Sequence, residues 1–118
     1  MVIAVDFDET LYMRSREFPK ISGGSWNMPL INIIEKLQDM FPHIEWVLWT
    51  CRENDELRLA VEALRAFNIK WDAVNDNSPK IQKIMECNPR KIIADLYIDN
   101  AAVTLRDAVT TLENMLHT

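Results

Sequence analysis

The sequence holds only two cysteines, two histidines and two glycines in its 118 residues. Cys51 and Cys87 form neither a CxxC motif nor a disulfide framework, which points to a reducing compartment. His43 precedes an apolar run and His117 lies in the tail. No imidazole therefore accompanies Cys51, and a thiol-nucleophile reading has little to stand on. Basic runs are missing too: 13 Lys and Arg face 18 Asp and Glu, for a net charge of −5. That balance carries no electrostatic footprint for nucleic acid. It still allows a phosphorylated substrate, because a metal ion can supply positive charge locally. No apolar run is long enough for a membrane span or a signal peptide, and no basic segment precedes the first one. The expectation is a cytoplasmic protein without membrane contact. Repeats and low-complexity segments are absent, and the length fits one domain over residues 1–118. Nothing in the sequence speaks to oligomeric state.

What is present is an alternation of short apolar runs and helical periodicity. Val2–Val5 and Ile44–Trp49 read as strands, with Ile69–Asn75 and Asp95–Asp99 as shorter candidates. Leu30, Ile33, Ile34, Leu37 and Met40 fall on one helical face. So do Leu57, Ala60, Val61, Leu64 and Phe67, and later Leu105, Ala108, Val109, Leu112 and Leu116. A weaker helix is expected from Pro79 to Cys87, and Trp46, Trp49 and Trp71 are read as core. The order βαβαβαβα predicts an α/β fold: a doubly wound parallel sheet with helices on both faces and right-handed crossovers. Such sheets bind ligands beyond the carboxyl ends of their strands. Those ends read Asp6-Phe7-Asp8, Thr50-Cys51-Arg52, Asn75-Asp76-Asn77 and Asp99-Asn100. All four turn polar where a ligand would sit.

The densest of these ends raises a physical question. Three acids, Asp6, Asp8 and Glu9, crowd directly behind a buried strand, where carboxylates repel one another and lose hydration. Residues two apart on a strand point the same way, so Asp6 and Asp8 address one site, and Asp99 can add a third oxygen ligand. A hard divalent cation held by a few carboxylates, a carbonyl and waters is what magnesium prefers. The cluster is thus expected to be a metal-binding phosphate site. Asp95 does not belong to it, since four strand residues separate it from Asp99 by roughly 13 Å.

"DFDETL" resembles the DxDxT/V signature of the haloacid dehalogenase superfamily of aspartate-nucleophile phosphohydrolases. "LWTCRE", "WDAVNDN" and "RKIIADLYIDN" look like the later blocks of a small, capless bacterial and phage branch, in the right order over nearly the whole chain. The resemblance implies a magnesium-dependent phosphomonoester hydrolase. Asp6 would be the nucleophile and a metal ligand. Asp8 would be general acid and then base, with its backbone carbonyl in the metal shell. Thr50 would hold a phosphoryl oxygen, helped by N–H groups at the following helix start. Asp99 would be the acidic metal ligand of the last block. Block matching puts the superfamily's lysine at Lys91, whereas geometry favours Lys80, which follows the third strand's end. Arg52 is a further candidate phosphate contact.

Two positions depart from the pattern. Glu9 stands where glycine is common, and Asn100 stands where a second aspartate is frequent. Asparagine can still hold a metal-bound water but removes one negative charge. Residues 13–28 are too short for a cap domain and would form a flap, from which Arg14, Arg16, Lys20 and Trp26 could reach a substrate. An open site of this kind admits a small molecule, a nucleotide or a nucleic-acid end. Two rival readings exist. A phospho-receiver domain would place its phosphoacceptor aspartate on the third strand and its threonine on the fourth, unlike the order here. A catalytically weak phosphate- or partner-binding module of the same fold is the other.

Overall fold

A computed structural model of the chain describes residues 1–86, 92–99 and 105–116. Lys91 and Asn100 lie outside the described residues. The elements in chain order are β1 (Val2–Val5), β2 (Tyr12–Met13), β3 (Ser25–Trp26), α1 (Met28–Met40), β4 (Glu45–Leu48), α2 (Asn54–Leu64), β5 (Ala73–Val74), α3 (Pro79–Met85), β6 (Leu96–Ile98) and α4 (Leu105–Leu116). β5, β4, β1 and β6 form a parallel sheet in that order, and β2 and β3 form a separate antiparallel hairpin. This is the doubly wound α/β architecture expected from the sequence. Among the described residues no helix is long and apolar enough to cross a membrane.

β1 is buried along its whole length because both faces of the sheet are covered. Ile3, Val5, Trp46, Leu48 and Ile98 pack on one face against α1, α2 and α4. Val2, Ala4 and Val47 pack on the other against Ile81 of α3. The first face is the thicker one, since α1 alone buries Leu30, Ile31, Ile33, Ile34 and Leu37. α1 starts where Asn27 accepts the Leu30 N–H and a proline sits in the first turn.

Two aspartates seat the amino ends of the strands by one device. Asp95 donates its N–H to the Val2 carbonyl, and its Oδ2 accepts the Val2 N–H at 2.7 Å. Asp72 does the same to Trp46, also at 2.7 Å. Asp95 is thus a strand-edge residue at the end of the sheet opposite Asp99. The third strand is shorter than its apolar run suggests. The Lys70 N–H and carbonyl both bond the Gln38 side chain, which takes that backbone away from the ladder.

The chain runs from β1 to β4 and on to β5 in one direction, then returns through α3 to β6 on the far side of β1. Strand order therefore reverses between β1 and β6. The crevice beyond their carboxyl ends is where an open α/β sheet binds ligands. Asp6 and Asp99 stand on either side of it.

Candidate active site

The sheet ladder runs one residue past the assigned strands. Asp6 donates to the Ile98 carbonyl, Trp49 to Val5, and Asn75 to Leu48, at 2.9, 2.8 and 2.8 Å. Continuing the register Val5↔Leu48, Val5↔Ile98 and Leu48↔Val74 puts Asn75, Trp49, Asp6 and Asp99 in one row. Asp6 is central in it and half-buried. Burial, then the neighbouring charges of Asp99 and Asp8, push its carboxyl up from 3.8 to about 6. Hydrogen bonds from the Phe7 N–H and the Thr10 hydroxyl act in the opposite direction without prevailing. An anion at this position is therefore under-compensated by the described residues.

Asp8 has a different environment. Arg52, only 2% exposed, holds it in a two-pronged pair: Nε to Oδ2 at 2.7 Å and Nη2 to Oδ1 at 2.9 Å. The remaining guanidinium nitrogen donates to the carbonyls of Pro19, at 2.7 Å, and Glu56, at 3.3 Å. The rings of Phe7 and Phe18 stand 5.2 and 5.0 Å from its carbon. Every face of this cation is committed. Arg52 was expected as a phosphate contact; in the structure it lines the pocket and fixes Asp8.

Thr50 lies beside them, with its N–H donating to Asn75 Oδ1 at 2.8 Å. Its Oγ1 accepts the Arg52 N–H at 3.2 Å, so its own proton can be donated elsewhere. Help from the start of α2 is weaker than expected, because Asp55 and Glu56 already occupy that first turn. Asn75 is the site residue that sequence reasoning passed over. It takes a left-handed backbone (φ 50°), and its amide also donates to the Arg52 carbonyl at 3.2 Å. Polar residues at a strand end were the only signal pointing to it. Asn75→Ala should cost about 1–2 kcal/mol through two lost hydrogen bonds and the strained φ. Asn75→Gly should recover the backbone part, as read from urea midpoints.

The two lysine candidates separate. Lys80 is at the wrong end of the sheet, a correction to the geometric argument for it. Its N–H meets Glu45 Oε2 at 3.3 Å, at the start of β4, and its ammonium lies against the Met1 amino group, lowering that amine's pKa. The reason is that residues 76–78 carry the chain back along the sheet before α3 begins at Pro79. Lys91 falls outside the described residues.

Asp6, Asp8, Thr50 and Arg52 line one pocket of about 290 Å³ together with Glu9, Arg14, Phe18, Cys51 and Glu56. Arg14 and Phe18 bring the flap into its wall, while Arg16 and Lys20 are exposed outside it. Trp26 is a packing residue, 4.9 Å from the rings of both Tyr12 and Phe67. Glu9 occupies the left-handed region (φ 63°) that glycine accepts without cost, and its carboxylate ties down Arg14 at 2.9 Å. The flap itself is pinned by the β2–β3 hairpin, where the Tyr12 hydroxyl accepts the Gly24 N–H. A β-carbon at Gly24 would collide with the Met13 carbonyl and the Tyr12 ring. A larger cleft of about 550 Å³ between the hairpin and α4 is lined by Trp26 but holds none of the predicted catalytic, phosphate-binding or metal residues.

Among the described residues no three His, Cys, Asp or Glu side chains converge as a metal cluster. The donors that fit magnesium are Asp6 and Asp99, hard oxygens close enough for one to raise the other's pKa. The Asp8 carboxylate is taken by Arg52, which leaves only its backbone carbonyl for such a role.

No protein-family model and no curated protein matches the chain. One solved structure does, that of a conserved protein coded by a locus of Bacteroides thetaiotaomicron. The two are 28% identical, with a TM-score of 0.75 over 98% of this chain and 91% of the other. That likeness supports the fold and carries no activity with it.

Proposed function

We propose that this protein is a magnesium-dependent phosphomonoester hydrolase of the haloacid dehalogenase superfamily, working in the cytoplasm through an aspartyl-phosphate on Asp6. The observation that carries the reading is the placement of Asp6. It ends the central strand at the point where strand order reverses, with its anionic form disfavoured and Thr50 beside it.

In this mechanism an Asp6 oxygen attacks phosphorus, and the bond to the leaving oxygen breaks as Asp8 passes it a proton. Water then attacks the phosphoryl group, Asp8 takes the water's proton, and phosphate leaves with Asp6 restored. Thr50 holds a non-bridging oxygen. Magnesium, bound by Asp6, Asp99 and the Asp8 carbonyl, would supply charge neutralisation for the transferring group. An open pocket of this size admits the phosphorylated end of a small molecule, a nucleotide or a nucleic acid.

For Asp8 to carry a proton, it must release one prong of the Arg52 fork. That requirement favours a second reading, a phosphate- or partner-binding module in which the pair stays closed. Phosphate release from a panel of phosphomonoesters, with magnesium and with EDTA, separates the two. The enzyme reading expects release with magnesium, and at least a thousandfold less with EDTA. Magnesium binding without release from any compound would favour the module.

A further inference from the structure

We propose that Trp49 is a stacking platform for a nucleobase next to the substrate's phosphate, so that the site takes nucleotides. The inference rests on the reading of Asp6 as the phosphate-reacting residue and names its substrate class. Trp49 is the cross-strand neighbour of Asp6 in the extended register, about 4.8 Å away across the sheet. Side chains alternate along a strand, so Val47 and Trp49 share a face with Ala4 and Asp6. On that face Ile81 of α3 covers Val2, Ala4 and Val47, near the amino end. Trp49, beyond them, is left 36% exposed. The indole keeps about a third of its surface open to solvent one strand over from Asp6, outside the lining of the Asp6, Asp8 and Thr50 pocket.

The indole is also held in place. Tyr97 meets it edge-on at 5.6 Å and 68°. The Tyr97 hydroxyl is fixed in turn, donating to the Ile92 carbonyl and accepting the Ala94 N–H. The chemistry around it selects the partner. Among the described residues of the pocket, Arg52 and Arg14 are committed to Asp8 and Glu9. What Trp49 offers a leaving group is therefore a rigid aromatic face, and an uncharged planar base is the group that face suits. Base–aromatic stacking tolerates every base, since each has a π-face.

The test compares AMP, a 3′-phosphorylated dinucleotide and β-glycerophosphate as substrates of wild type, Trp49→Leu and Trp49→Phe. Trp49→Leu should lower the kcat/KM preference for AMP over β-glycerophosphate by about tenfold or more, with Trp49→Phe keeping most of it. The dinucleotide tells whether the base belongs to a free nucleotide or a nucleic-acid end. Calorimetry in the Asp6→Asn background gives a second readout independent of turnover. There, Trp49→Leu should weaken AMP about tenfold more than inorganic phosphate. An unchanged preference together with equal weakening would overturn the proposal. Hydrolysis of β-glycerophosphate in preference to AMP would overturn it while leaving the phosphatase reading intact. AMP bound through Trp49 without any hydrolysis would uphold the base platform and remove the catalytic reading.

Discussion

Asp6→Asn should stop phosphate release and at the same time stabilise the metal-free fold. Loss of the nucleophile removes the covalent route altogether, so a fall of at least about a thousandfold is expected. Stability moves the other way because folding raises the Asp6 pKa from 3.8 to about 6, chiefly through burial. A group with a raised folded-state pKa contributes stability below its unfolded value, and that contribution is lost as pH rises through about 6. A shift of this size corresponds to about 3 kcal/mol for a fully buried group. Asp6 is only half-buried, and solvent screening brings the cost nearer 1–2 kcal/mol. In EDTA, the urea midpoints of wild type and Asp6→Asn should differ least below pH 3.8 and draw apart up to about pH 6, with the variant gaining on wild type. Magnesium should close the gap by stabilising wild type alone. A variant less stable than wild type at pH 7.5 would contradict this account of the site.

Arg52→Ala should be the most damaging single change in the pocket. It strips a nearly buried guanidinium from Asp8 and leaves the Pro19 and Glu56 carbonyls without that donor. It also removes the cation between the Phe7 and Phe18 rings. Breaking a buried pair from one side costs about 3–5 kcal/mol, because the remaining charge stays uncompensated. Arg52→Lys should recover less than half, since an ammonium cannot span both carboxylate oxygens and two carbonyls. Asp8→Asn should cost less than Arg52→Ala, because the arginine keeps its carbonyl and ring partners. Thermal midpoints order the three variants, and a loss below about 1 kcal/mol for Arg52→Ala would show that the pair does not hold the flap to the site.

The sequence made the strands and helices legible wherever periodicity ran uninterrupted. Val2–Val5 and Leu105–Leu116 coincide with β1 and α4. The β2–β3 hairpin was missed because its strands are two residues each, too short for alternation to show. Ile69–Asn75 was read as one strand, yet the Lys70 backbone groups go to the Gln38 side chain, and at Asp72 a side-chain oxygen replaces a carbonyl as the acceptor of the Trp46 N–H. Trp49 was read as core along with Trp46. Three residues apart on one strand, the two point to opposite faces, and only the face bearing Trp46 is thickly covered. Asp6, Asp8 and Thr50 were legible as neighbours because each ends or follows a strand of one parallel sheet. The Arg52–Asp8 pair was not, since 44 positions separate its partners and only the fold brings them together. Lys80 failed for a related reason: position in sequence after a strand does not say which way the chain then turns.

The most direct test of the central claim is to trap the covalent intermediate. Protein turning over a phosphomonoester with magnesium would be quenched into borohydride, which reduces an acyl phosphate to an alcohol, and its peptides weighed. The account predicts homoserine at position 6, absent from Asp6→Asn and from samples without substrate. Phosphate released with Asp6 unmodified, or homoserine at another aspartate, would contradict it.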